Sequence, residues 1–153
     1  MQTALEAPPE RQADRTERRC LVIDDHRFLA ERLALSLEDL GFTVDRAYNG
    51  EDALRLIDGN RYDVILADWN LGHSISGLGI LKHVRSTPGI AATPFIMITA
   101  ASPTELALEA AEAGVSAFLL KPIIPAELAR KVMAVTRRSA LEAERPLAEM
   151  RAS

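Results

Sequence analysis

Short apolar runs and helical apolar stripes alternate along this chain from residue 19 onward. Cys20-Leu21-Val22-Ile23 has the length of a buried parallel strand, and Asp24-Asp25 end it. Phe28, Leu29, Leu33, Leu37 and Leu40 then recur at helical spacing until Gly41. Phe42–Ala47 reads as a weaker strand, and Glu51–Ile57 as a helix ended by Asp58-Gly59-Asn60. Tyr62–Ala67 reads as a buried strand ending at Asp68, and a loop from Trp69 to Ser76 leads to a helix over Leu78–Arg85, closed by Thr87-Pro88-Gly89. Phe95–Ile98 is the fourth strand and ends at Thr99. Ser102-Pro103-Thr104-Glu105 has a capping-box pattern with proline at the first helical position, and the helix it opens stops at Gly114. Ala117–Leu120 is the fifth strand, ending at Lys121-Pro122, and a last helix runs from about Pro125 to Arg138 or as far as Glu144.

Strict alternation of this kind predicts an α/β fold, a doubly wound five-stranded parallel sheet with helices on both faces. Residues 19–139 form the expected domain, 1–18 a polar flexible extension around Pro8-Pro9, and 140–153 a helix extension and tail. Open sheets of this type bind ligands at the carboxyl ends of their strands. The chemistry is therefore expected at Asp24-Asp25, Asp68, Thr99 and Lys121.

Three carboxylates on one edge repel one another, by about 4 kcal/mol for a pair at about 4 Å and an effective dielectric near 20. One lysine does not offset them. A hard divalent cation with oxygen ligands does, and Mg²⁺ combines one or two carboxylates with waters and phosphate oxygens. That composition points to phosphoryl chemistry, which needs an in-line nucleophile, a bridging cation and donors for the transferred charge. Asp68 is the candidate nucleophile and phosphoacceptor. Asp24 and Asp25 are the candidate metal residues, and Thr99 and Lys121 the candidate donors to phosphate oxygens.

These residues, in the runs LVIDD, VILADWN, FIMITA and AFLLKP, resemble those of the receiver domains of two-component response regulators. The resemblance covers roughly Arg19 to Arg138 and implies the flavodoxin-like fold. It also implies phosphotransfer onto Asp68 from a histidine kinase or histidine phosphotransfer protein. In such a domain Asp24, Asp25, Asp68 and the backbone carbonyl of Asn70 hold Mg²⁺. Thr99, Ala100, Lys121 and Phe118 serve as phosphate-binding and switch residues, and the Lys121-Pro122 peptide bond is cis. The implied output is a changed surface on the fourth helix, fifth strand and fifth helix, the face through which a homodimer would form. The downstream target stays open. Family members usually have proline four residues and glycine eight residues after the phosphoacceptor. Here Gly72 holds the first place and Gly77 stands nine residues on, so the loop is one residue longer. Phe118 lacks the hydroxyl of the tyrosine often found at its position.

Plainer readings exist for each residue. Asp24-Asp25 could cap the first helix, Thr99 could be an ordinary strand-end hydroxyl, and Phe118 could belong to the core. Gly77-x-Gly79 lacks the third glycine of a dinucleotide loop, Lys82 standing there. His26, His73 and His83 have no metal-ligand spacing, with His26 at a helix start, His73 on a loop tip and His83 on a helix surface. Cys20 reads as a buried strand residue, and Arg137-Arg138 as a solvated helix end. Two other functional classes compete: a receiver-like interaction scaffold that is never phosphorylated, and a phosphohydrolase with an aspartyl nucleophile. The second is opposed by Asp24-Asp25-His26 in place of Asp-x-Asp and by the lack of room for a cap.

Composition narrows these readings. The 153 residues carry 18 basic and 22 acidic side chains, a net charge of −4, so a general nucleic-acid binder is not expected. An apolar share of 48% supplies a core for one domain. A single cysteine excludes an internal disulfide. No apolar run approaches the roughly 18 residues that would cross a bilayer, and no secretion signal is visible. A soluble, cytoplasmic signalling protein rather than an enzyme is the expectation. With no length left for an output domain, its signal would leave through another protein.

Overall fold

The computed structural model describes residues 17–72, 75–100 and 104–144. Five strands, β1 (Arg18–Ile23), β2 (Phe42–Ala47), β3 (Val64–Asp68), β4 (Phe95–Thr99) and β5 (Ala117–Leu120), form one sheet in the order β2-β1-β3-β4-β5. Every pairing is parallel. Among the described residues, five helices connect and follow them: α1 (Arg27–Asp39), α2 (Gly50–Gly59), α3 (Gly77–Arg85), α4 (Thr104–Ala113) and α5 (Pro125–Glu144).

Alternation along the strands sorts side chains into two cores. Cys20, Val22, Val64, Leu66, Ile96 and Ile98 face α1 and α5, meeting Leu33, Leu37, Leu128 and Val132. Leu21, Ile23, Ile65, Phe95 and Met97 face the other way, onto Ile57 of α2 and Ile80, Leu81 and Val84 of α3. Both faces of the central strands are dry, which is why β1, β3 and β4 read as continuous apolar runs. Cys20 is wholly buried, and burial, with the charges of Asp63 and Asp45, pushes its thiol well above the ordinary range.

Several boundaries differ from expectation. β1 begins at Arg18, which pairs with Phe42 and lays its guanidinium 5.2 Å from that ring, so the ladder starts inside the expected extension. Tyr62 and Asp63 precede β3, and Asp68 and Thr99 are the last residues of their strands rather than the first beyond them. α2 starts at Gly50 because the Asn49 side chain accepts from the Asp52 N–H at 2.8 Å, and it continues through Gly59. Phe28 leaves the expected apolar stripe and is 70% exposed. The buried stripe of α1 is Ala30, Leu33, Ala34 and Leu37, a spacing that Phe28 does not share. α5, by contrast, runs from Pro125 to Glu144, the farther of the two ends expected for it. Residues 1–16 and 145–153, Ser102 and Pro103 of the capping box, and His73 lie outside the described residues.

Candidate phosphoacceptor site

The chain leaves β1 for β2 on one side and returns to β3 on the other, which opens a crevice at the carboxyl ends of β1 and β3. Asp24 follows β1 directly, its N–H bonded to the carbonyl of Ala47 at 3.1 Å. Asp68 closes β3, and the next residue, Trp69, donates its N–H to the Ile98 carbonyl of β4 at 2.8 Å. The Lys121 N–H donates to the Thr99 carbonyl at 2.8 Å, which ties the end of β5 to the end of β4. The Lys121–Pro122 peptide bond is cis.

Both carboxylates are buried, Asp24 at 1% and Asp68 at 5% exposure. Asp68 is held at both oxygens: Lys121 Nζ lies 2.5 Å from Oδ2, and the Asn70 N–H donates to Oδ1 at 2.9 Å. Asp24 is held at one. Its Oδ1 accepts from the His26 N–H at 2.9 Å, while Oδ2 has no partner among the described residues. Burial raises the Asp24 carboxyl above the ordinary carboxylate value and the neighbouring Asp68 and Asp25 add to this; the His26 N–H and Lys121 act in the opposite sense.

Asp25 is exposed, and its carboxylate lies with those of Asp24 and the ring of His26 in a group whose ligand atoms fall within 4.8 Å of one another. Neither aspartate caps α1. The N-cap is His26, which makes no side-chain capping bond. Thr99 is buried, Ala100 beside it is exposed, and Phe118 is partly buried against the α2–α3 side of the core. His83 stands on α3 with Nε2 3.1 Å from Asp58 of α2, away from the site.

The loop after Asp68 explains its two departures from the family pattern. Gly72 has φ +86°, a conformation closed to the proline usual at that place, and it lies against the Asp25 carboxylate, where a Cβ would stand 3.5 Å from Oδ2. Gly77 starts α3 so close to β3 that a Cβ would fall 2.4 Å from the Asp68 carbonyl oxygen. The glycine that comes one residue late is thus one that the close approach of α3 to β3 requires. Beside the crevice, a cavity of about 460 Å³ opens between α1 and the β5–α5 connection, lined by Leu29, Arg32, Leu33, Ile123 and Pro125 and reaching Asp24 and Lys121. Sequence reasoning missed Arg32 and this wall, because the wall is assembled from segments far apart in the chain.

Fold and strand-end geometry define a doubly wound domain with an acidic crevice. The response regulator receiver domain model matches residues 20–133, and the chain belongs to that family. It is 37% identical over 123 residues to the transcriptional regulatory protein DltR of Streptococcus agalactiae, covering 80% of this chain and 54% of that regulator. The chain thus spans about half the length of that relative. It is 33% identical over 113 residues to the chemotaxis protein CheY-3 of Vibrio cholerae, covering 73% of this chain and 86% of that protein. Among solved structures, a Burkholderia pseudomallei response regulator with a phosphorylated aspartic acid, a calcium ion and citrate superposes with a TM-score of 0.69 at 26% identity, over 84% of this chain and 74% of that one. Receiver domains are phosphoacceptor modules of two-component signalling. No helix among the described residues is long and apolar enough to cross a membrane.

Proposed function

We propose that Asp68 accepts a phosphoryl group from the phosphohistidine of a histidine kinase or phosphotransfer protein. The observation that carries this reading is a buried Asp68, held by Lys121 and the Asn70 N–H, beside a second buried carboxylate with an unpartnered oxygen. A carboxylate oxygen of Asp68 attacks phosphorus, and the phosphorus–nitrogen bond breaks with its electron pair on the imidazole, which takes up a proton. Lys121 already rests on Asp68 and so stands within reach of the new phosphoryl oxygens as a compact positive charge. Thr99 offers a hydroxyl at the neighbouring strand end.

The donors fit a hard divalent cation, being carboxylate oxygens with Asp24 Oδ2 buried and unpartnered. Asp24, Asp25, Asp68 and the Asn70 carbonyl would hold Mg²⁺. When bound, the ion supplies positive charge against the carboxylates and the incoming phosphoryl oxygens. The phosphorylated aspartic acid of the Burkholderia relative supports the assignment of an aspartate as acceptor.

The donor protein docks over the α1 cavity, where Phe28 and Leu29 are exposed beside Lys121. Phosphate then draws Thr99 and Ala100 inward and Phe118 follows, altering the face of α4, β5 and α5. Exposed Leu108, Leu120 and Ile124 lie on those elements or beside them and suit a protein partner or a second copy. The test is acyl-phosphate labelling by acetyl phosphate with Mg²⁺. Wild type is expected to label and Asp68→Asn to stay unlabelled; equal labelling of both overturns the assignment.

A further inference from the structure

The phosphoacceptor loop touches a part of the fold that carries none of the site chemistry. Ile75, seven residues after Asp68, packs over the first turn of α2. A Cβ added to Gly50 would fall 2.6 Å from Ile75 Cβ, 3.0 Å from its carbonyl oxygen and 3.3 Å from its Cα. These are contacts with backbone and Cβ rather than with a movable side-chain tip, so the loop sits on the bare backbone of α2 at this point. On its other side, Ile75 Cγ2 lies 3.1 Å from where a Cβ of Gly79 would be. Ile75 is thus clasped between two glycines, one on α2 and one on α3.

That clasp has a consequence for the metal side of the site. The loop is anchored at Asp68 by the close approach of Gly77 and reaches Asp25 at Gly72. Ile75 stands three residues after Gly72 and two before Gly77, so what it rests on bears on both anchors. The Asn49 cap and the buried Ala53 and Ile57 fix the start of α2 against the sheet, so the seat does not give way easily. We propose that Ile75, seated on Gly50, is a positioning residue for the phosphoacceptor site. It holds the segment carrying Asn70 and Gly72 at the distance from Asp24 and Asp25 that cation binding requires. This inference rests on the phosphoacceptor reading above.

The experiment compares Gly50→Ala, Ile75→Gly and Gly59→Ala, with Mg²⁺ binding followed by the fluorescence of Trp69 and phosphorylation by acetyl phosphate measured alongside thermal unfolding. Gly59 is the control: it lies in the same helix and an added Cβ meets nothing within 4 Å. Gly50→Ala displaces Ile75 and is expected to raise the Mg²⁺ midpoint about tenfold, the scale of losing a group that orients metal ligands. Ile75→Gly, which cannot overpack, is expected to move the midpoint in the same direction, and Gly59→Ala to leave it unchanged. A merely structural contact would lower the unfolding temperature and leave the Mg²⁺ midpoint at the wild-type value in both variants, and that result overturns the proposal. If wild type binds Mg²⁺ without becoming phosphorylated, the phosphoacceptor reading fails, while the midpoints still decide the positioning role. If wild type does not respond to Mg²⁺, both fall.

Discussion

At the amino end of β1, Arg19 is surrounded by partners: Asp45 Oδ2 at 2.7 Å, Asn60 Oδ1 at 3.2 Å and the Tyr62 ring at 5.2 Å, with only Nε left over. At the carboxyl end of the same strand, Asp24 is more deeply buried and its carboxylate has one hydrogen bond, with two further carboxylates nearby and Lys121 committed to Asp68. One end matches its charges; the other collects more negative charge than its own residues offset. Buried charge without a partner destabilises a fold, so the carboxyl end gives up stability that the amino end keeps. The difference separates scaffold from site without reference to any relative.

The largest expected effect comes from removing the imbalance. Asp24→Asn keeps an acceptor for the His26 N–H and removes a charge that burial disfavours. Urea unfolding of the metal-free protein should therefore shift to higher denaturant. On the proposed reading that Asp24 helps to hold the cation, Mg²⁺ affinity should fall by about 100-fold, the upper end of what losing a metal-supporting group costs. Lower stability together with unchanged Mg²⁺ binding would mean that the two ends are not built differently.

The converse change belongs to the amino end. Asp45→Ala strands the Arg19 guanidinium and removes the acceptor of the Tyr62 hydroxyl, 2.6 Å away. Breaking a buried pair from one side costs about 3–5 kcal/mol. With Asp45 29% exposed, solvent screening reduces this to about 2 kcal/mol. Denaturant midpoints should record that loss, and the Mg²⁺ midpoint should stay where it is. A shifted Mg²⁺ midpoint would break the separation between the ends.

How legible each end was in the sequence follows from the same physics. The carboxyl end was readable because strands buried on both faces are apolar to their last residue, so Asp24, Asp68, Thr99 and Lys121 stand out as polar stops after IDD, LAD, MIT and LLK. The amino-end network was not, because Arg19, Asp45, Asn60 and Tyr62 are ordinary residues until the β1–β2 register places them together. Phe28 was misplaced because the inward stripe of α1 contains Ala30 and Ala34, whose small side chains weaken the periodic signal. Asn49 preceding Gly50-Glu51-Asp52 is a capping signal that could have set the start of α2 one residue more accurately than apolar spacing did. Ile75 offered no signal, since a loop has no period and its seat is the absence of a side chain on Gly50.

A smaller effect is expected at the rim of the site. Phe28→Ala removes an exposed ring, so stability should change by no more than about 0.5 kcal/mol. Phosphotransfer from a protein donor should weaken about tenfold, as for the loss of an aromatic contact at an interface. Labelling by acetyl phosphate, which needs no docking wall, should be unaffected. Equal loss with both donors would place Phe28 in the support of the site instead of on the docking face.

The smallest effect tests whether matched charge is stabilising even at the surface. Glu31 on α1 accepts from Arg46 of β2 at 3.0 and 3.2 Å, and these bonds hold its carboxyl below the ordinary value of 4.5. A group with a lowered folded-state pKa contributes stability above its unfolded value and loses it as pH falls through the folded one. Wild type should therefore lose stability on acidification through and below pH 4.5, and Glu31→Gln should lose less over that interval. The gap between the two curves should narrow at high salt, because the pair is open to solvent. A difference of the opposite sign would show that Arg46 is held by Glu38 and the Val44 carbonyl without help from Glu31, and that matching at this edge is local packing rather than charge.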